Sequence, residues 1–237
     1  MDNTSYTILT RQSGLTREMS TIANNIANAS TTGFRQEGLV FSEYVQKVGR
    51  NDSVSMATSR VSHVRGEQGA LIQTGNSFDL AVEGDGFFLV QTPDGERLTR
   101  AGAFTPNHDG DLVNMDGYAV LDVSGSPIFI PPDSVGIKIA PDGTISNQGQ
   151  LLGQIGLVRP TTAHDLTREA GVLFSVKNGH EPVVAGRVMQ GFLENSNVNT
   201  IGQLTRMIEV QRAYEAGQSF LEQENDRVLN TVKTLIR

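Results

Sequence analysis

The residues whose types and spacing come nearest to a metal site are Asn107, Asp109 and Asp111, which imitate the opening of a calcium loop. Such a loop needs Gly at its sixth position for the sharp turn and a bidentate Glu at its twelfth, and here those positions hold Leu112 and Tyr118. The run reads as a turn. His63, His108, His164 and His180 are scattered and have no i, i+4 partner of the kind that holds zinc on a helix. With no Cys in the chain, thiolate ligands, thiol nucleophiles and disulfides are all excluded. Gly84-Asp85-Gly86-Phe87-Phe88 has glycines of the kind that cradle a phosphate, but it lacks the third Gly and leads into a strand-like run. No Gly-x-Ser-x-Gly elbow and no P-loop lysine occurs. The expectation is a protein that is not an enzyme, with no cofactor, no metal ligands and no catalytic residues. Carboxylates brought together only by folding stay open as a hydrolase alternative.

Bulk properties narrow the partners. A net charge of −7 and a pI near 5.1 disfavour a surface built for phosphate backbones or anionic lipid, so nucleic acid is not expected. No run approaches the ~20 apolar residues of a membrane span, so no membrane insertion is expected either. Met1 to Tyr6 carry neither a basic stretch nor a following apolar run, which predicts that no signal peptide is cleaved. An apolar share of 38% in 237 residues suffices for one sizeable core or two small ones.

The elements fall into zones. From Thr7 to Ala29, Ile8, Leu15, Met19, Ile22, Ile26 and Ala29 recur at helical spacing, and the run stops at Asn28-Ala29-Ser30-Thr31-Thr32-Gly33. There Gly33 is suited to a left-handed cap. Residues 34–78 are polar and irregular, which predicts an extended linker with one or two short strands. From Asp79 to Leu193, short apolar runs alternate with Asp85-Gly86, Asp94-Gly95, Asp109-Gly110, Asp116-Gly117 and Asp142-Gly143, the turn signature of an all-β domain. After Asn195-Ser196-Asn197-Val198-Asn199, a capping box of Thr200 and Gln203 opens a long helix. Met207, Tyr214, Leu221, Val228 and Leu235 recur in it every seventh residue, flanked by Val210 and Val232. The expected class is α+β: a discontinuous N- and C-terminal helical coiled-coil domain with an inserted all-β domain. The expected boundaries are 1–33, 34–78, 79–193 and 194–237.

Stripes at both ends of a chain predict assembly rather than chemistry. Ile22-Ala23-Asn24-Asn25-Ile26-Ala27-Asn28-Ala29-Ser30-Thr31-Thr32-Gly33-Phe34-Arg35 resembles the N-terminal motif of the flagellar rod and hook proteins, the bacterial axial family. Asn195 to Asn199, with Met207-Ile208 and Arg212-Ala213-Tyr214-Glu215, is similar to that family's C-terminal motif. Gly84 to Val90 and Thr99 to Phe104 resemble its central β domain. Arg35 stands where the family usually has Lys. Within the family, Leu9 to Glu18 and the short length look most like the proximal rod branch, with the distal rod branch as runner-up.

The resemblance implies a structural subunit of the flagellar basal-body rod, the drive shaft that crosses the periplasm and transmits torque for motility. It implies export by the flagellar type III apparatus, and partners that are other copies and neighbouring rod proteins. Ile8, Leu15, Met19, Ile22 and Ile26 would supply one set of intersubunit contacts. Met207, Val210, Tyr214, Leu221, Val228 and Leu235 would supply the complementary set, and Asn24 and Asn25 would fix register, since a buried amide penalises slipped packing. The alternative is a secreted β-domain module that binds a ligand and oligomerises through its helices.

Overall fold

The computed structural model describes residues 3–46, 54–162, 165–183 and 186–235. A helix α1 (Asn3–Ala27) opens the chain and a helix α2 (Thr200–Leu235) closes it. Between them run β1 (Glu37–Gln46), β2 (Val54–Val64), β3 (Leu71–Gln73), β4 (Leu80–Glu83), β5 (Phe87–Thr92) and β6 (Gly95–Thr99). Then follow β7 (Phe104–Pro106), β8 (Leu112–Asn114), β9 (Ala119–Val120), β10 (Lys138–Ile139), β11 (Thr144–Asn147) and β12 (Gln150–Gln154). The last strands are β13 (Leu157–Pro160), β14 (Leu166–Ala170), β15 (Leu173–Val176), β16 (His180–Pro182), β17 (Arg187–Gln190) and β18 (Phe192–Glu194). The class is α+β.

The chain divides into two compact units. One comprises Met1–Ala27, Glu37–His63 and Asn199–Arg237; the other comprises Asn28–Gln36 and Val64–Val198. Thus the breaks fall at 27/28, 36/37, 63/64 and 198/199, and the expected boundaries at 33/34, 78/79 and 193/194 do not coincide with them.

In the first unit α1 carries many hydroxyls, and it tolerates them because they bond back along the helix. Thr16, Ser20 and Thr21 donate to the carbonyls of Gln12, Thr16 and Arg17 at 3.0, 3.1 and 3.1 Å. The stretch expected to be a linker holds β1 and β2, which pair with each other as a two-stranded sheet. Their length escapes sequence reading because Ser55, Ser59 and Ser62 dilute the period-two signal. The cap of α2 also differs from expectation: Asn199, not Thr200, accepts from Gly202 N through Oδ1, at 3.0 Å.

In the second unit the order β14-β15-β6-β5-β9-β8-β7 forms the main sheet, with β13 also on β5 and β16 on β13. β5 reads as a continuous apolar run because both of its faces are covered. Phe88 and Val90 join one buried cluster with Leu80, Val82, Phe104, Leu112, Val120 and Ile145. Phe87 and Leu89 join another with Leu98, Leu121, Val158 and Phe174. Edge-to-face rings mark each cluster, Phe88 on Phe104 at 5.1 Å and Phe87 on Phe174 at 5.8 Å. Pro127 to Ile130 makes only isolated bridges, Leu121 with Pro127 and Asp111 with Phe129.

Gly33 has a left-handed φ of 71°, yet α1 has already ended at Ala27, where the Asn28 carbonyl accepts from Thr31 N at 3.1 Å. Its role is close approach rather than capping. A Cβ at Gly33 would lie 2.2 Å from Ala101 N, so only Gly lets these two backbones meet.

Phe88→Ala removes a fully buried ring between Phe104 and the strands around it. It should destabilise the chain by about 3–5 kcal/mol. The check is urea unfolding, with a lower midpoint at an unchanged m-value.

Candidate assembly interface

The two helices of the first unit run antiparallel, as three polar contacts along their length establish. Gln12 Nε2 donates to the Tyr214 carbonyl at 3.3 Å, Arg206 Nε to Glu18 Oε1 at 2.7 Å, and Asn25 Nδ2 to Gln203 Oε1 at 3.2 Å. Glu18 holds the Arg206 guanidinium above its ordinary pKa, first through this hydrogen bond. On α2 the less exposed positions Gln203, Met207, Val210, Tyr214, Gly217, Leu221 and Glu224 alternate in steps of four and three, one seam along the helix.

The expected contact residues distribute as follows. Ile22 and Val210 are buried, and Ile8, Leu15, Met19, Ile26, Met207, Tyr214 and Leu221 are half-buried. The stripes assigned from sequence to two sets of intersubunit contacts therefore lie on helices that pair within one chain. Asn24 and Val228 are exposed, and the side chain of Leu235 lies outside the described residues. Asn25 is buried and fully used: Oδ1 accepts from Glu37 N at 3.0 Å while Nδ2 donates to Glu37 O at 2.8 Å and to Gln203. It continues the ladder of β1 in side-chain form and fixes the helices by the same amide. Gln203 is thus engaged by Asn25, where a capping box would turn it back on its own helix.

What this pairing leaves uncovered is a second stripe on α2. Ile201, Leu204 and Ile208 follow at i, i+3 and i+7 and are 79, 50 and 52% exposed. From 225 to 234 every residue of α2 is exposed, Val228, Leu229 and Val232 among them.

Sequence reading missed the polar centre of the second unit. Glu194, at the end of β18, is 1% exposed and its carboxylate lies between two arginines. Oε1 is 2.9 Å from Arg35 Nη2 and accepts from Gly69 N at 3.1 Å; Oε2 is 3.0 Å from Arg100 Nη1. Arg100 also donates to the carbonyls of Gly84 at 2.7 Å and Val82 at 3.4 Å, and Arg35 donates to those of Gly66 and Glu67. Burial lowers the pKa of both arginines, that of Arg100 to about 10, to which the like charge of Arg35 adds a smaller part. Arg35 stood in the N-terminal motif, but nothing local in the sequence pairs it with a residue so far along the chain. Asn107, the head of the calcium-like run, is committed to a turn, its Oδ1 accepting from Asp109 N and Asp111 N at 2.9 Å each.

Comparison with known proteins fits this plan of terminal helices around a β unit. Residues 6–35 match the family described as flagella basal body rod protein, 81–147 the flagellar hook protein FlgE/F/G D1 domain, and 189–232 the flagellar basal body rod FlgEFG protein C-terminal region. These define the class, a structural protein of the flagellar axis rather than an enzyme. The chain is 37% identical to the flagellar basal-body rod protein FlgF of Mesorhizobium japonicum over 99% of its length and 98% of the relative's. It is likewise 37% identical to that of Caulobacter vibrioides, over 99% and 98%. The flagellar basal-body rod protein FlgG of Bacillus subtilis is 32% identical over 93% and 94%. The chain belongs to the flagellar basal-body rod protein family.

The engagement of Asn25 gives a sharp test. Asn25→Asp keeps the shape but turns an acceptor toward Glu37 O and Gln203 Oε1, in a buried place. It should cost about 2–3 kcal/mol at neutral pH. Burial raises the folded-state pKa of such an Asp above the ordinary ~4, so the penalty is full above the raised value and fades as pH falls toward 4. Thermal unfolding followed by helical circular dichroism across that range, against the parent chain, measures both effects.

Proposed function

We propose that this chain is a subunit of the flagellar basal-body rod that assembles with its own copies and neighbouring rod proteins through its terminal helices. The rod so formed crosses the periplasm and passes motor torque outward. The chain reaches it through the flagellar type III export apparatus, without a cleaved signal. Family membership supports the rod, and the FlgF relatives favour that branch over FlgG. The observation that carries assembly is the exposed stripe of Ile201, Leu204 and Ile208 with the uncovered length of α2 beyond Glu224.

In this reading the residues between α1 and α2, from Ile8, Leu15, Met19, Ile22 and Ile26 to Met207, Val210, Tyr214 and Leu221, serve assembly by fixing the pair that is presented. Val228 and Leu235 continue the seam of α2 into a coiled coil with a neighbour. A single apolar stripe at the surface gains most when several helices close around it, each side chain contributing about 1.5–3 kcal/mol on full burial.

The ligand-binding alternative rests on a groove of about 560 Å³ in the β unit, lined by Thr32, Ala101, Met115, Tyr118, Gly171 and Leu173. It requires a bound molecule, with the helices serving only to oligomerise the module and not to build a rod.

Substituting Leu204→Glu together with Ile208→Glu separates the two. Both positions are exposed, so the purified protein should unfold within about 0.5 kcal/mol per site of the parent. In a strain whose only copy carries the pair, swimming in soft agar should be lost and the protein should be missing from isolated basal bodies. Normal swimming with the variant present in basal bodies would overturn the proposal.

A further inference from the structure

Helix pairing does not use the far end of the N-terminal motif or the near end of the C-terminal one. Within the β unit these two pieces bond each other. Gly33 N donates to the Glu194 carbonyl at 2.7 Å, and Asn197 N to the Phe34 carbonyl at 3.3 Å. Gln36 N donates to Asn197 Oδ1 at 2.6 Å, while Asn197 Nδ2 donates to the Glu67 carbonyl at 2.8 Å. The Glu194 carboxylate lies among them, bonded to Arg35, Arg100 and Gly69 N. A Cβ at Gly69 would lie 1.9 Å from the Asn195 carbonyl oxygen, so the 194–197 segment seats at one depth only.

Charge turns these contacts into a coupling. Without Glu194, the segment carrying Arg35 would bring a second buried cation beside Arg100. Without the arginines, Glu194 would be a buried anion with only one amide to receive it. Segment 33–36 alone would leave two cations uncompensated out of water, whereas 192–198 alone leaves the neutral Arg100–Glu194 pair, so it is the docking of Arg35 that depends on Glu194.

We propose that Glu194 is a latch that couples the docking of 33–36 to that of 192–198, so that 33–36 stays open until 192–198 has arrived and each segment, once seated, holds the other more firmly. The two are 159 positions apart at Arg35 and Glu194. A chain threaded through a channel from either end holds the unit unfinished until almost all of it has passed. The inference stands on the cluster itself and does not depend on the rod assignment.

Amide hydrogen exchange on the full-length chain and three variants tests it. Glu194→Gln alters only the C-terminal segment, yet protection should fall about 100-fold or more at both 33–36 and 194–197, while β5 and β6 keep theirs. Arg35→Met leaves a neutral Arg100–Glu194 pair and should lower protection at both segments by a smaller factor. In the double variant the second change should in part restore what the first removes, giving a coupling of about tenfold or more. Loss confined to the segment that carries the substitution, or additive effects, would overturn the latch. Should Glu194→Gln fail to fold, Arg35→Met alone decides: reduced protection at 194–197 supports the proposal, and unchanged protection there refutes it.

Discussion

Two guanidinium groups and one carboxylate share a place in the β unit that water barely reaches, with Arg35, Arg100 and Glu194 at 2, 3 and 1% exposure. Removing each ion from water costs several kcal/mol, and one carboxylate cannot neutralise two cations. The balance comes from backbone dipoles. The carbonyls of Gly66, Glu67, Val82 and Gly84 all accept from the arginines, so the loops that supply them must hold their shape. Arg168 extends the arrangement outward: it donates to the Arg35 carbonyl and lies over the rings of Phe34 at 4.1 Å and Phe174 at 4.7 Å. The polar cluster and one apolar core are thereby one packing problem. Apolar residues of equal volume would supply similar stability. Charges add register, because a one-residue slip of β18 against β3 would turn Glu194 away from both arginines.

How much of this was legible in the sequence depended on the range of the interaction that decides each element. Asp109-Gly110 and Asp142-Gly143 announced turns correctly, since the positive φ of Gly110 and Gly143, 91° and 83°, is a local demand met by a local residue. The run Phe87 to Val90 announced a strand, and the structure adds that both of its faces are covered. β7 and β16, at three residues each, carry no such signal. Their backbones are extended because neighbouring strands offer ladders, β8 to β7 and β13 to β16. The offset of the α2 cap by one residue is of the same kind. Asn199 and Thr200 are both good capping residues, and choosing between them needs the path of the chain before the helix.

The polar centre was the least legible part. Arg35 lay inside a recognised motif, but Glu194 had only the look of a charged residue at the end of a strand. A buried carboxylate is recognised by what surrounds it, and here that means residues from four separate stretches of the chain.

For the helices the sequence stated that a seam exists and left its partner undetermined. A repeat of seven says which residues share a face; any antiparallel or parallel helix of the right shape can fill it. In this chain α1 fills it as far as Glu224, and polar groups choose the alignment. Gln203, Gly217 and Glu224 occupy seam positions where Leu would bury more area. Gly217 lets Gln12 reach the Tyr214 carbonyl, since a Cβ there would stand 3.1 Å from Gln12 Nε2. Each such position gives up some apolar burial and gains discrimination, because shifting α1 by one turn would strand Asn25, Glu18 and Gln12 away from their partners together. The pair is thus specified more than it is strengthened, and the apolar side chains that would strengthen it, Ile201, Leu204, Ile208, Leu229 and Val232, are left facing outward.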